Sequence, residues 1–438
     1  MTTGERSDAA ASEADSATPR SPGGEGTGAG GPPGPTGRGP EASNGILWIV
    51  FTTILIDWIG FSILIPVLPH FADRLGASPT EIGLLLTVYA LAQLLFLPAW
   101  GWVSDRVGRR PVLLVSLAGT AASFTVLAGA EDLLTVYASR ALAGFFAASV
   151  GTAQAVVADV TPPDQRARGM GIIGAAFGAA MVLGPALGGL LAALDERAPF
   201  YAVAGLALVN LGAAFLRLPE TSPPVKGEAR VQDLMVALIP TPIRLIFAVH
   251  EKRLAIYLYL FFHLFSAFAI LEAMITYYLG QRFGASEIHV GLIFAWIGVV
   301  LSVTQGLLLR RLVERVGEVR LIAPGLLFMG IGLGGVAVAP SLLWLVPIGL
   351  LIAVGNGIAF PSFTALYSKA CAADQAGELL AQSQAMATTG RIVGPMLAGY
   401  AMSAPDDGTP FLLAGGLMIV ALGLFLALRS TLLEGLDS

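Results

Sequence analysis

Twelve long apolar runs constrain this chain more than anything else in it. They lie at about 46–69, 81–102, 111–130, 133–158, 169–194, 199–217, 254–280, 287–309, 319–339, 342–367, 378–402 and 410–430. A helix needs about 20 apolar residues to cross the hydrocarbon core of a bilayer. Each run reaches roughly that length. None shows the period-two alternation that a membrane β-barrel strand of about ten residues requires. Inside a bilayer every backbone amide must be paired within the protein, so a chain of such runs is predicted to be an all-α integral membrane protein with twelve transmembrane helices. Composition agrees: 55% of residues are hydrophobic, 13% are charged, and the mean hydropathy is +0.75.

Residues 1–44 are a different material, rich in Gly, Pro, Ser, Ala and Glu with Gly30-Gly-Pro-Pro-Gly-Pro35 at the centre. Such a segment buries too little apolar surface to offset its ordering entropy, and it is expected to be a disordered cytoplasmic tail. Basic residues between the runs set the orientation. One side receives Arg106, Arg109, Arg110, Arg166, Arg168 and Arg217, then Arg310, Arg311, Arg315, Arg320, Lys369 and Arg429, and the other only Arg74, Arg197 and Arg282. Cytoplasmic loops carry the excess of Lys and Arg, so both termini are expected in the cytoplasm and the protein in the cell (inner) membrane. The linker at 218–253 is basic and proline-containing, and its Val231 to Val249 portion is predicted to lie on the membrane surface as an amphipathic helix. It divides a six-helix half at 45–217 from another at 254–430, with a short tail at 431–438.

The halves repeat. Arg74-Leu-Gly-Ala-Ser78 returns as Arg282-Phe-Gly-Ala-Ser286, Asp105-Arg-Val-Gly108 as Glu314-Arg-Val-Gly317, Asp164-Gln165 as Asp374-Gln375, and Gly184-Pro185 as Gly394-Pro395, at offsets of 208 to 210. Several chemistries are excluded. Cys371 is the only cysteine, so there is no internal disulfide and no thiolate metal site, and the four histidines have no ligand spacing. No Gly-rich loop carries a phosphate-binding lysine, so the chain is not expected to hydrolyse ATP, and no nucleophile–base constellation marks an enzyme. Neither a cofactor nor a nucleic-acid partner is expected.

Between the second and third runs stands Gly101-Trp-Val-Ser-Asp105-Arg106-Val-Gly108-Arg109-Arg110-Pro111, a tight turn just outside the bilayer. It resembles the signature loop of the major facilitator superfamily, in which it forms part of the cytoplasmic gate. The resemblance covers the chain after about residue 45. Ile56-Asp57-Trp-Ile-Gly60 with Pro66 and Pro69 resembles the first helix of the twelve-helix drug–proton antiporters, including the tetracycline exporters. Arg140-Ala-Leu-Ala-Gly144 is similar to that family's membrane arginine motif, with Ala143 where a glutamine is usual. Gly184-Pro185-Ala-Leu-Gly188-Gly189 is similar to the core of its antiporter motif. The resemblance implies two pseudo-symmetric halves with the substrate between them near the midplane. It also implies that Gly101, Asp105, Arg106, Gly108, Arg109 and Arg110 serve as the gate. Asp105 can accept hydrogen bonds from a helix N-terminus or a neighbouring arginine in one state only, which biases the alternation. The competing reading, that these are topogenic charges, explains Arg109 and Arg110 but not Asp105 or the glycines.

Single charges inside the runs are the remaining candidates. A carboxylate in mid-membrane costs about 2.5–3.5 kcal/mol on insertion scales. Asp57 is therefore tolerable only when protonated, paired or facing a wet cavity, and a group poised among these states can carry a coupling proton. Its alternative role is to pin helices. Arg140 is the candidate partner for proton coupling, or else a structural hydrogen-bond donor. Glu272 has no echo in the first half and is read as a cation-recognising or second proton site, or as an acid in a wet outer vestibule. Arg391 can bind an anionic group of a substrate or pair with Glu272. Tyr257 and Phe265, with Tyr259, Phe268, Tyr277 and Tyr278, can line an aromatic pocket or face lipid. His263, among Phe261, Phe262, Leu264 and Phe265, reads better as a packed core side chain than as a functional one. Gly184, Pro185, Gly188, Gly189, Gly394 and Pro395 are assigned a mechanical role in bendable helices at the interface of the halves.

The reading that unites these residues is a secondary active transporter, working as a monomer, that exports a small amphipathic organic compound or drug in exchange for protons by alternating access. An importer or facilitator of a sugar or organic anion with the same fold is the alternative. A receptor or scaffold that transports nothing would need neither Asp57 nor Arg140 in the bilayer.

Overall fold

A computed structural model describes residues 40–161, 166–221, 252–369, 376–402 and 407–433, with the side chains of some helix ends left out. The tail at 1–39, the predicted surface helix at 231–249, the Asp164-Gln165 and Asp374-Gln375 pair, Cys371 and the last residues, 434–438, lie outside the described residues. The described residues are helical almost throughout, with no strand among them.

The first half consists of α1 (Pro40–Ser62), α2 (Leu64–Arg74), α3 (Pro79–Val107), α4 (Arg109–Ala128), α5 (Leu133–Phe145), α6 (Ser149–Val160), α7 (Arg166–Ala192) and α8 (Ala198–Arg217). The second consists of α9 (Lys252–Phe283), α10 (Glu287–Val303), α11 (Leu309–Val316), α12 (Glu318–Val338), α13 (Leu345–Lys369), α14 (Ala376–Ala401), α15 (Thr409–Ala427) and the short α16 (Arg429–Leu433). Three spans are each made of two helices: α1 with α2, α5 with α6, and α10 with α11, the last pair joined by a π turn at Thr304–Leu308. Among the described residues eleven stretches are long and apolar enough to cross a membrane. The remaining run corresponds to α14, a 26-residue helix whose first side chains lie outside the described set. Helix α1 begins at Pro40, five residues inside the segment expected to be tail.

Local chemistry explains the boundaries. Pro66 has no N–H for the carbonyl four residues back, and the first span is interrupted between Ser62 and Leu64. Ser78 starts α3 with a capping box: its Oγ accepts from the Glu81 amide at 3.3 Å, and the Glu81 carboxylate accepts from the Ser78 amide at 2.8 Å. Asp132 caps α5 through the Thr135 amide at 2.8 Å. The glycines with positive φ among the described residues are Gly76, Gly108, Gly284 and Gly317, at φ of 85°, 105°, 64° and 84°. They form two pairs across the repeat, so the left-handed turns that only glycine adopts cheaply recur at the same offset as the sequence motifs.

The halves meet along two related seams, α3 against α14 and α7 against α10. A methyl on Gly83 would stand 2.3 Å from the Pro395 carbonyl oxygen, and one on Gly291 2.4 Å from that of Pro185. Likewise Gly399 abuts the Pro79 carbonyl at 2.6 Å, and Gly189 that of Glu287 at 2.5 Å. Without side chains at these points the backbones touch, and a lipid-solvated bundle gains dispersion contact where hydrophobicity alone gives none.

Polar contacts between the halves gather at the end of the bundle carrying the Arg74–Ser78 turn. Thr80 Oγ1 donates to Gly399 O at 3.2 Å, Thr276 Oγ1 to Ile65 O at 2.7 Å, and Gln281 Nε2 to Asp73 Oδ2 at 3.2 Å. The Glu287 carboxylate receives Arg74 Nη2 and faces His70 Nδ1, each at 3.4 Å, while Arg74 Nε holds Glu196 at 3.0 Å. At the opposite end Asp105 is exposed and a methyl on Gly101 would meet nothing within 4 Å. The conformation is closed at the Arg74 end.

Candidate functional site

Halfway along the bundle lies a cavity of about 730 Å3 including its open mouth. Asp57, Trp58 and Phe61 of α1 line it with Tyr89 and Gln93 of α3, Arg140 of α5 and, from the second half, Arg391 of α14. Three sequence candidates separated by up to 334 positions thus share one space, and residues that no local signal marked (Trp58, Phe61, Tyr89, Gln93) form its walls. One carboxyl and two guanidinium groups share its lining.

Asp57 accepts a hydrogen bond at Oδ2 from Ser149 Oγ, and its Oδ1 is buried without a partner. Arg140 is 2% exposed, lies 5.2 Å over the Phe124 ring, and leaves Nε and Nη2 without partners. The expected direct pair between Asp57 and Arg140 is not formed. They line the same cavity with no ion pair between them, and a serine on the same span as the arginine takes its place beside the acid. Arg391 is ringed by aromatics, with Trp58, Phe61 and Phe265 centroids 5.4, 5.4 and 5.5 Å from its guanidinium. Such cation–π contacts hold a cation while leaving its N–H edges free to bind. No acid lies within ion-pair distance of Arg391 among the described residues, so the Arg391–Glu272 pair is also not formed.

Glu272 is 5% exposed in this conformation. It faces a smaller pocket lined by Phe61, Leu64, Ile65, Leu68, Pro69, Ile82 and Leu86, toward the closed end. Among the described residues it has no hydrogen-bond or ion-pair partner. Phe265 joins the cavity's edge through Arg391 and packs on Phe360 at 5.6 Å. Tyr257 does not line the cavity: it is fully buried, its hydroxyl donates to Leu432 O at 3.1 Å, and its ring packs on Tyr367. Tyr278 is buried against the Ala337 carbonyl, and Tyr259 is largely exposed on the outer surface. His263 is a core side chain, 3% exposed, with Nδ1 2.8 Å from Tyr259 O.

The Gly101–Pro111 loop forms its own cluster. Arg109 Nη1 pairs with Asp105 Oδ1 at 2.5 Å and donates to Ser104 Oγ, while its Nε reaches Asp159 Oδ2 of α6 at 3.3 Å. Arg110 Nη2 donates to Phe215 O at 2.6 Å, and Arg106 lies 3.8 Å over the Trp102 ring. Glu220, just after α8, accepts from the Arg109 amide at 2.8 Å and the Arg110 amide at 3.2 Å. A carboxylate on the first amides of α4 satisfies orphan donors and meets the positive end of the helix dipole. Nothing in the loop's own sequence pointed to Glu220. At Gly108 a methyl would stand 2.3 Å from that carboxylate, so the glycine gives it room as well as the turn. In the second copy Glu314 pairs with Arg310 on its own helix at 2.9 Å, and Glu318, where the first copy has Arg109, takes Lys369 of α13 at 2.6 Å. The degenerate repeat keeps the turn and inverts the charge.

Two related six-helix halves, packed at one end around a charged central cavity, define a membrane transporter by architecture rather than an enzyme. The chain belongs to the major facilitator superfamily, whose family model matches residues 50–388 and 256–435. It is 33% identical to the class C tetracycline resistance protein of Escherichia coli over 87% of this chain and 96% of that protein. It is 30% identical to the major facilitator superfamily domain-containing protein 10 of Bos taurus, over 86% and 92% of the two chains. The crystal structure of the human organic anion transporter MFSD10 superposes with a TM-score of 0.64 at 26% identity, covering 88% of this chain and all of that one. A bacterial homologue of the lysosomal transporter Spinster, in an inward-facing and occupied conformation, shares the fold at a TM-score of 0.75 and 15% identity. The chain is a multi-pass membrane transporter of small molecules.

Proposed function

We propose that this transporter exports a small amphipathic organic compound across the cell membrane in exchange for protons. The observation that carries the reading is that Asp57, Arg140 and Arg391 line one cavity between the halves. Asp57 is the carrier of the coupling proton. Arg140 is the fixed charge on the neighbouring span whose field competes with that proton, and a guanidinium stays charged throughout. Arg391, set among Trp58, Phe61 and Phe265, holds the solute. The basic loops face the cytoplasm with both termini, and the described conformation is then closed outside and open inward, at the loading step of an export cycle. The tetracycline resistance relatives support export. One proton crossing 100 mV supplies about 2.3 kcal/mol, enough for a roughly forty-fold gradient.

A second reading differs in the solute's charge and direction: an organic anion, imported or merely equilibrated. With no acid beside Arg391 among the described residues, an anionic group on the solute is favoured there, and the human relative MFSD10 is an organic anion transporter. Inverted vesicles decide between these. A panel of amphipathic aromatic compounds, neutral, cationic and anionic, is offered with and without an imposed proton gradient. Uphill uptake that an uncoupler abolishes is expected. Equilibration insensitive to the uncoupler for every transported solute overturns proton coupling.

A further inference from the structure

The fourth span is broken where it passes the cavity. Helix α5 ends at Phe145, α6 starts at Ser149, and the residues between make short turns, with the Ala148 amide donating to Phe146 O at 2.7 Å. A break inside a membrane frees carbonyls that need partners, and side chains of other spans donate to two of them. Trp100 Nε1 of α3 donates to Phe145 O at 2.6 Å, and Ser116 Oγ of α4 donates to Phe146 O. Rings reinforce the joint: Phe145 packs edge-on to Phe96 at 4.6 Å and to Trp100 at 5.7 Å, and the Phe146 ring occupies the space a side chain at position 119 would need. Ser149, the first residue after the break, is the one that donates to Asp57. Arg140 stands on the same span before the break. Trp100 directly precedes Gly101, the first residue of the loop cluster.

We propose that Trp100 and Ser149 are positioning residues that tie the state of the Gly101–Pro111 loop to the carboxyl of Asp57 through the break in the fourth span. The inference rests on the reading of Asp57 as the proton carrier. When the loop end of α3 moves, the indole that holds the Phe145 carbonyl moves with it. The turns between the two half-helices then rearrange, and the Ser149 hydroxyl is presented to Asp57 or withdrawn. A continuous helix would give neither the freed carbonyl nor the separate movement of α6.

The test uses the full-length protein in proteoliposomes, measuring proton-driven accumulation and energy-independent exchange of one transported solute side by side. Trp100→Phe keeps the ring and removes the N–H, Ser149→Ala removes the hydroxyl, and Ser149→Thr restores it. Trp100→Phe and Ser149→Ala are each expected to lower accumulation about tenfold, the factor corresponding to 1.4 kcal/mol of lost pairing, with exchange retained. Ser149→Thr should behave as the native protein, and the Trp100→Phe/Ser149→Ala double variant should be no worse than either single one. Native coupling in both single variants overturns the proposal, as does a parallel fall of exchange and accumulation. Asp57→Asn separates the two levels. If it abolishes coupling while the Trp100 and Ser149 variants do not, Asp57 stands and the positioning role falls. If it leaves coupling intact, the reading of Asp57 itself fails.

Discussion

Asp57 and Arg391 show how a mid-membrane charge is made tolerable in two different ways. Asp57 has one oxygen on a serine hydroxyl and the other buried without a partner, while Arg391 has three aromatic faces and, among the described residues, no acid. Asp57→Asn keeps the size and removes the titrating group. It should abolish proton-driven accumulation and substrate-induced proton movement in vesicles while exchange survives, and a retained proton-dependent gradient would move the coupling site to Glu272. Arg391→Gln should raise the half-saturating concentration of an anionic solute by about tenfold or more, since hydrogen bonds to charged groups contribute about 1.5–3 kcal/mol. The same change should leave a neutral solute within a few-fold, and equal effects on both would remove Arg391 from charge recognition. These positions were legible because a charge in an apolar run stands out. Trp58, Phe61, Tyr89 and Gln93 were not, because aromatic and amide residues in a span look alike whether they face a cavity, a helix or lipid. Tyr257 illustrates the error in the other direction: its hydroxyl serves Leu432 O in the core.

Helices and loops carry the mechanical residues. Asp105 reaches Arg109 across the tight turn, and Glu220 holds the first amides of α4. Replacing an N-terminal cap costs about 0.5–2 kcal/mol. Glu220→Gln is accordingly expected to slow turnover several-fold with little change in solute affinity, measured as initial rates over a concentration series. Asp105→Asn should do the same and also lower crosslinking between cysteine pairs set across the loop end of the two halves. Unchanged turnover and crosslinking would leave Asp105 a topogenic charge. Exposure tempers the energy expected of the Asp105–Arg109 pair itself, since an exposed ion pair is worth about 0.2–1 kcal/mol. The glycines of the two Gly-Pro motifs were read as bending points, and each lies in close contact: Gly184 abuts Ser62 and Gly188 the Ile63 carbonyl at the break in the first span, Gly394 the Ser266 carbonyl, and Gly189 that of Glu287 across the halves. Gly83 and Gly291, outside those motifs, each receive the carbonyl of a helix proline in the opposite half, Pro395 and Pro185, a pairing that a motif within one half does not reveal.

At the scale of the whole molecule the closed end is held by a charge cluster spanning the halves, with Arg74, His70 and Glu196 from one and Glu287 from the other. Arg74→Glu should loosen it and raise the reactivity of a cysteine placed in the central cavity toward a membrane-impermeant reagent added outside. Adding Glu287→Arg should restore protection. Unchanged reactivity in Arg74→Glu would mean that the Thr80, Thr276 and Gln281 hydrogen bonds and the glycine contacts hold this end without the charge cluster. Topology belongs to the same scale: labels in the 218–253 linker should be reached only from the cytoplasm, and labels near Arg197 or Asp406 only from outside. An externally accessible linker would overturn the orientation.

The apolar spans and the internal repeat were legible in the sequence alone. Run length against bilayer thickness, basic residues against a one-sided charge rule and offsets of 208 to 210 are all properties of a linear string. Only the tertiary structure decided which charges meet. Arg391 and Asp57 line one cavity from opposite halves, Ser149 rather than Arg140 bonds the acid, and Glu220 reaches back over a hundred positions to the loop. Packing sets those encounters: which face of each helix turns inward depends on the neighbours it finds, and a nearly uniform apolar helix carries little record of that choice along its own sequence.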